Sequence, residues 1–93
     1  MDERLIQGIS YLKSSKYRQS VVLLLHNNIL TPAEIQQKLD LRLNHVSFYL
    51  KELKKMNIVV CLNEDTKKGR LYELTDLGNE LYTYITKSSS DNE

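Results

Sequence analysis

The stretch that most constrains this chain is Thr31 to Asn57, TPAEIQQKLDLRLNHVSFYLKELKKMN. Thr31 is a helix cap, Pro32 suits the first helical position, and Glu34 can reach back to complete a capping box. The helix is predicted to end near Leu39, with Ile35 and Leu39 facing inward. Asp40 to Leu43 form a turn, and Asn44 is the expected N-cap of a second helix over 44–56. Asn57 follows it, suited to the left-handed conformation that ends helices. At about 100° per residue, Val46, Leu50 and Leu53 stack on one side of the second helix, with Tyr49 and Met56 at the edge. Asn44, Phe48, Lys51 and Lys55 fall opposite, with Ser47 close by. The inner stripe pins the helix; the outer face carries an aromatic, two lysines and short polar groups, and meets no carboxylate until Glu52 at its margin.

The flanks supply the supports. Leu5, Ile6, Ile9 and Leu12 give a short amphipathic helix over 2–13, weakened by Gly8 by roughly 1 kcal/mol relative to Ala. Ser14 and Ser15 offer a cap for a helix from Lys16 to His26, with Tyr17, Val21, Leu24 and Leu25 inward and Asn27 and Asn28 ending it. Ile29 and Leu30 are too few for an independent strand but can add an edge to a small sheet. Ile58 to Leu62 read as a buried strand, Asn63 to Gly69 as a hairpin loop, and Arg70 to Leu74 as the returning strand. Thr75 caps a last helix over 76–86, where Leu77, Leu81, Tyr84 and Ile85 keep helical spacing. Residues 1–86 are one domain, and 87–93, KSSSDNE, are expected to be a disordered polar tail.

Composition narrows the class. A chain of 93 residues buries only roughly 60–65% of its unfolded surface, so a partner subunit would help it. The longest apolar run, Val21 to Leu25, is far too short for a bilayer. Asp2 and Glu3 stand where a signal peptide would be basic, and one cysteine fits a reducing compartment, so a cytoplasmic location away from membranes is expected. The net charge of +1 conceals a division. Residues 42–70 hold seven basic side chains against three acidic, a balance of +4, whereas residues 71–93 hold one against five. The positive charge is concentrated on the second helix and the loop after it, the footprint of a nucleic-acid binder. No nucleophile elbow, Walker loop, paired-carboxylate motif or HExxH is present, so neither catalysis nor a cofactor is expected.

The element order, mainly α with one β-hairpin (α-α-α-α-β-β-α, an α+β class), is that of a winged helix–turn–helix domain. The residues agree. Arg18 with Val21–Leu25, the Thr31–Ile35 start, the run Val46-Ser47-Phe48-Tyr49-Leu50-Lys51-Glu52-Leu53, and Gly69 to Gly78 (GRLYELTDLG) together resemble ArsR-type and MarR-type bacterial and archaeal transcription regulators over about residues 5–86. The resemblance implies a homodimer on a two-fold site in double-stranded DNA. It implies a reading helix, the second one above, whose residues 44–51 enter the major groove, and a wing over 63–70 on the flanking backbone or minor groove. It carries no effector. Metal-sensing members place cysteines on the helix before the reading helix; here PAEIQQKLD has none, and His26 and His45 lack metal-ligand spacing, so no metal is expected.

Roles follow by chemistry. Asn44, His45, Ser47 and Phe48 are assigned to base edges, and Arg42, Lys51, Lys54, Lys55, Lys67, Lys68 and Arg70 to phosphates. Thr31 is expected to offer a hydroxyl and backbone N–H to another phosphate. Some residues have two readings. Phe48 meets a thymine methyl, or forms a hydrophobic staple with Leu43 around the Asn44 cap. Arg70 projects to the duplex or pairs with an acidic neighbour. His45 contacts DNA, giving pH-dependent binding, or is a solvated first-turn residue. Cys61 is a small apolar strand residue, or else a redox thiol or the site of an intersubunit disulfide. Leu5, Ile6, Ile9, Leu12, Leu77, Leu81, Tyr82, Tyr84 and Ile85 are assigned to a dimer interface, as more apolar surface than so small a core absorbs. The alternative to DNA binding is a winged-helix protein-interaction module of a larger assembly.

Overall fold

The computed structural model describes residues 2–90, and side chains up to residue 87. Five helices and one hairpin follow in order: α1 (Glu3–Lys13), α2 (Lys16–Leu25), α3 (Pro32–Leu39), α4 (Leu43–Lys55), β1 (Val59–Cys61), β2 (Tyr72–Leu74) and α5 (Asp76–Ser90). This is the mainly α, α+β order expected from the sequence. The strands pair antiparallel, Val59 with Leu74 and Cys61 with Tyr72. Leu30 exchanges both backbone hydrogen bonds with Tyr72, at 3.1 and 2.9 Å, and so adds the short third edge.

Local chemistry sets the boundaries. Asp2 caps α1 and Ser15 caps α2. The Thr31–Glu34 capping box is complete: Thr31 Oγ1 accepts from the Glu34 N–H at 3.2 Å, and Glu34 Oε1 accepts from the Thr31 N–H at 2.9 Å. The Thr31 N–H, and the Thr31 hydroxyl that donates to the same Oε1 at 3.1 Å, hold the Glu34 carboxyl below its ordinary pKa. α4 ends in a Schellman motif: the Ile58 N–H donates to the Leu53 carbonyl at 2.9 Å and the Asn57 N–H to the Lys54 carbonyl at 3.0 Å, with Asn57 at φ 64°. Thr75 starts α5 by accepting from the Gly78 N–H at 3.1 Å.

A single core joins the layers. Leu12, Val21, Leu25, Ile35, Val46, Leu50, Leu53, Ile58 and Leu81 are fully buried. Two glycines permit close approach. A Cβ on Gly8 would lie 2.7 Å from Leu81 Cδ1, so this glycine brings α1 against α5. A Cβ on Gly78 would lie 2.2 Å from the Ile58 carbonyl oxygen, which already accepts from the Thr75 N–H at 3.0 Å.

Four expectations need correction. Arg42, not Asn44, is the N-cap of α4 and makes no side-chain capping bond; the helix begins at Leu43, which puts Asn44 inside the first turn and free to project. The staple around an Asn44 cap therefore does not form, and Leu43 and Phe48 are both exposed. Leu5, Leu12, Leu81 and Ile85 are buried inside the subunit, because α1 and α5 cover each other, so these four are not free for a dimer interface. Tyr17 lies outside, half exposed and stacked on Tyr49, instead of facing inward. Finally, α5 continues past residue 86 to Ser90, so the start of the expected tail is helical; residues 91–93 lie outside the described residues. No helix among the described residues is long and apolar enough to cross a membrane.

Candidate nucleic-acid interface

Because Val46, Leu50 and Leu53 are anchored in the core, the opposite side of α4 faces solvent. Asn44, His45, Ser47, Lys51 and Lys55 are exposed, and Phe48 is 53% exposed although it is the chain's one phenylalanine. Its ring meets Tyr49 edge-on, 5.8 Å between centroids, and its exposed part is available for an apolar contact such as a thymine methyl. Arg42 is exposed just before α4.

A groove of about 510 Å³ separates this helix from the hairpin loop. Thr31, Pro32 and Ala33 line it from the start of α3, Leu43 and Ser47 from α4, and Lys67, Lys68 and Arg70 from the loop. The sequence assigned residues from three separate segments to one ligand, and the fold places all three around one depression. Thr31 sits at its rim with its hydroxyl engaged in the capping box, so its contribution there is the positive end of α3 rather than a free hydroxyl.

The loop has a built interior that sequence reading did not foresee. Asn63 Oδ1 accepts from the Leu71 N–H at 2.7 Å and its Nδ2 donates to the Gly69 carbonyl at 3.1 Å. The Asn63 carbonyl accepts from Thr66 Oγ1 at 2.9 Å. The Cys61 thiol donates to Asn63 Oδ1 at 3.7 Å from its buried place on β1, consistent with the small-residue reading of this cysteine. Arg70 Nε donates to the Thr66 carbonyl at 2.8 Å and Nη2 to the Glu64 carbonyl at 3.3 Å. Both readings of Arg70 are thereby corrected: it neither projects outward nor pairs with a carboxylate, but turns back to brace the loop that presents Lys67 and Lys68. An asparagine where a strand gives way to a loop was the available signal, since Asn commonly bonds nearby backbone.

The ion pairs sort the cations. Among the described residues they are Arg4–Asp2, Arg18–Glu52 and Lys54–Glu64. Lys54 is thus engaged by the wing, whereas Arg42, Lys51, Lys55, Lys67 and Lys68 are free of carboxylates. Glu52, the one acid at the margin of this exposed face, is engaged by two other helices: its Oε1 accepts from Tyr11 Oη at 2.6 Å and lies 3.4 Å from Arg18 Nη2. Burial, then the bond to Glu52, raises the Tyr11 pKa well above the phenolic range. No group of three or more His, Cys, Asp or Glu among the described residues is gathered as a metal ion would need.

No protein-family model and no curated protein sequence matches the chain. Solved structures do. A doubly substituted variant of Lactococcus lactis ZitR in apo form superposes with a TM-score of 0.74 at 19% identity, covering 94% of this chain and 65% of that one. AdcR, the adhesin competence repressor of Streptococcus pyogenes, gives 0.72 at 17% identity, covering 95% of this chain and 69% of that one. A further structure of the ZitR variant gives 0.73 at 19% identity over 83% of this chain and 53% of that one. The chain therefore spans from about half to about two-thirds of the lengths of these structures. At such identities the likeness is one of fold, and that fold is the winged helix–turn–helix that the residues had led us to expect.

Proposed function

We propose that this chain is a winged-helix transcription regulator that binds double-stranded DNA as a homodimer. α4 lies in the major groove, with Asn44, His45, Ser47 and Phe48 toward base edges. Arg42, Lys51 and Lys55 meet phosphates on either side, and Lys67 and Lys68 carry the wing to the flanking backbone or minor groove. The observation that carries this reading is the groove between α3, α4 and the wing, bordered by Lys67 and Lys68, which pair with no carboxylate among the described residues. The name of AdcR, a repressor, supports the same direction.

The second copy would be met by what α1 and α5 leave exposed. Ile6 and Tyr84 project from these helices, with Ile9, Leu77 and Tyr82 partly buried beside them. Two reading helices related by a two-fold axis would enter successive major grooves about 34 Å apart.

The test is selection of bound duplexes from a random pool, with the oligomeric state measured in parallel. Recovery of a two-fold sequence with half-sites about one helical turn apart supports the proposal. A monomer that retains no duplex at low salt would contradict it, and would favour a protein-interaction module using the exposed Phe48 and Leu43.

A further inference from the structure

The cluster of Tyr11, Arg18 and Glu52 lies outside the groove and the wing, yet one of its members belongs to the reading helix. Glu52 is on α4, Tyr11 on α1 and Arg18 on α2. Tyr11 Oη donates to Glu52 Oε1 at 2.6 Å, and Arg18 Nη2 reaches the same oxygen at 3.4 Å. Arg18 Nη1 donates to the Tyr11 carbonyl at 3.2 Å and to Ser14 Oγ at 2.8 Å. Its guanidinium carbon lies 3.9 Å from the centroid of the Tyr11 ring. Arg18 Nε is buried without a hydrogen-bond partner, so this cation is held in place although one of its donors goes unused. Such an arrangement is poorly explained by stability alone, since a partly buried ion pair returns little net energy over apolar packing. It is well suited to orientation. The apolar stripe of α4 is non-directional and lets a helix slide or rotate slightly, whereas a carboxylate held by a phenol and a guanidinium from two other helices fixes one rotation and one height.

We propose that Glu52 is a positioning residue for DNA reading, set by Tyr11 and Arg18, that fixes how far and at what rotation α4 projects, without itself touching the duplex. This rests on the DNA-binding reading above. The clasp sits one turn along α4 from Phe48, whose ring, with Tyr11, Lys51, Glu52, Lys55 and Met56, borders a depression of about 330 Å³. A small rotation of the helix there would shift Phe48 and Lys51 relative to the bases and phosphates they are proposed to meet. The role has a consequence of unusual sign. A carboxylate that merely lay beside a DNA-binding face would repel phosphate, and its removal would tighten binding. A positioning carboxylate does the opposite.

The experiment uses the full chain with Glu52→Gln, Glu52→Ala and Tyr11→Phe. It measures affinity for a selected duplex and for a random duplex, with thermal melting to set the assay temperature where every variant is folded. The expected result is a loss of about tenfold for the selected duplex in Glu52→Ala, with random-duplex affinity and its salt dependence little changed. Glu52→Gln, which keeps an acceptor for Tyr11, should restore part of the loss, and Tyr11→Phe should lose part of it. Equal or tighter binding of the selected duplex by folded Glu52→Ala would overturn the proposal while leaving the DNA-binding reading intact. Failure of the unaltered chain to bind any duplex would overturn both.

Discussion

Lys54, near the end of α4, is ion-paired with Glu64 in the hairpin loop, so α4 and the loop are tied to each other. Both side chains are about half exposed, 43% and 53%, so the pair adds little stability, roughly 0–1 kcal/mol. Its expected effect is on binding. Glu64→Gln removes a negative charge from the proposed DNA side and releases Lys54. Affinity for duplex should tighten by about threefold at low salt, and the gain should vanish as salt rises. Fluorescence anisotropy with a labelled duplex measures both, and Lys54→Ala should weaken binding less than Lys51→Ala.

The wing and the helix should fail in different ways. Lys67→Ala combined with Lys68→Ala is expected to weaken selected and random duplexes alike and to make the salt slope shallower by about one for each lysine removed from contact. Asn44→Ala or Phe48→Ala should instead change which bases are preferred, by about 1–3 kcal/mol at the affected position. Repeating the selection with each variant distinguishes the two patterns.

Gly78 is expected to be the least tolerant glycine. Its Cβ would lie 2.2 Å from the Ile58 carbonyl oxygen, and that atom cannot swing away as a side-chain tip can. Gly78→Ala should destabilise the fold by about 1–3 kcal/mol through overpacking, read as a lower midpoint in urea with unchanged slope. At Gly69, where φ is 68° and nothing lies within 4 Å, alanine meets backbone strain alone, and the destabilisation should be smaller.

The start of α3 should show a pH signature. Glu34 has its folded-state pKa lowered below 4.5 by its hydrogen bonds to Thr31. A lowered carboxylate pKa adds stability above the unfolded-state value and loses it as pH falls through the folded one. The unaltered chain should therefore melt higher than Glu34→Gln near neutrality, and the two should converge as pH drops below 4.5. Thr31→Ala should lower stability by about 1 kcal/mol by removing the cap.

What could be read from residues alone was what is local. The capping box from Thr31 to Glu34, the Asn57 helix end and the Thr75 start of α5 depend on a few neighbouring residues, and each forms as expected. The outer face of α4 was legible because its inner stripe fixes it. The errors concern how the folded backbone is arranged. The Thr66 and Glu64 carbonyls that claim the Arg70 guanidinium are near it in sequence, but they face it only because Asn63 folds the loop back on itself, which residue types alone do not say. Glu52 looked like a stray acid because its partners, Tyr11 and Arg18, are 41 and 34 residues away. The apolar faces of α1 and α5 called for cover, and periodicity cannot say whether that cover is another subunit or, as for Leu5, Leu12, Leu81 and Ile85, each other.

The central claim, that the unpaired cations of α4 and the wing meet DNA phosphates, is tested most directly by the affinity for duplex DNA between about 50 and about 200 mM salt. With about three phosphate contacts per subunit and two subunits, log K should fall against log salt with a slope near −5. A flat dependence, or no measurable binding at the lowest salt, would contradict it.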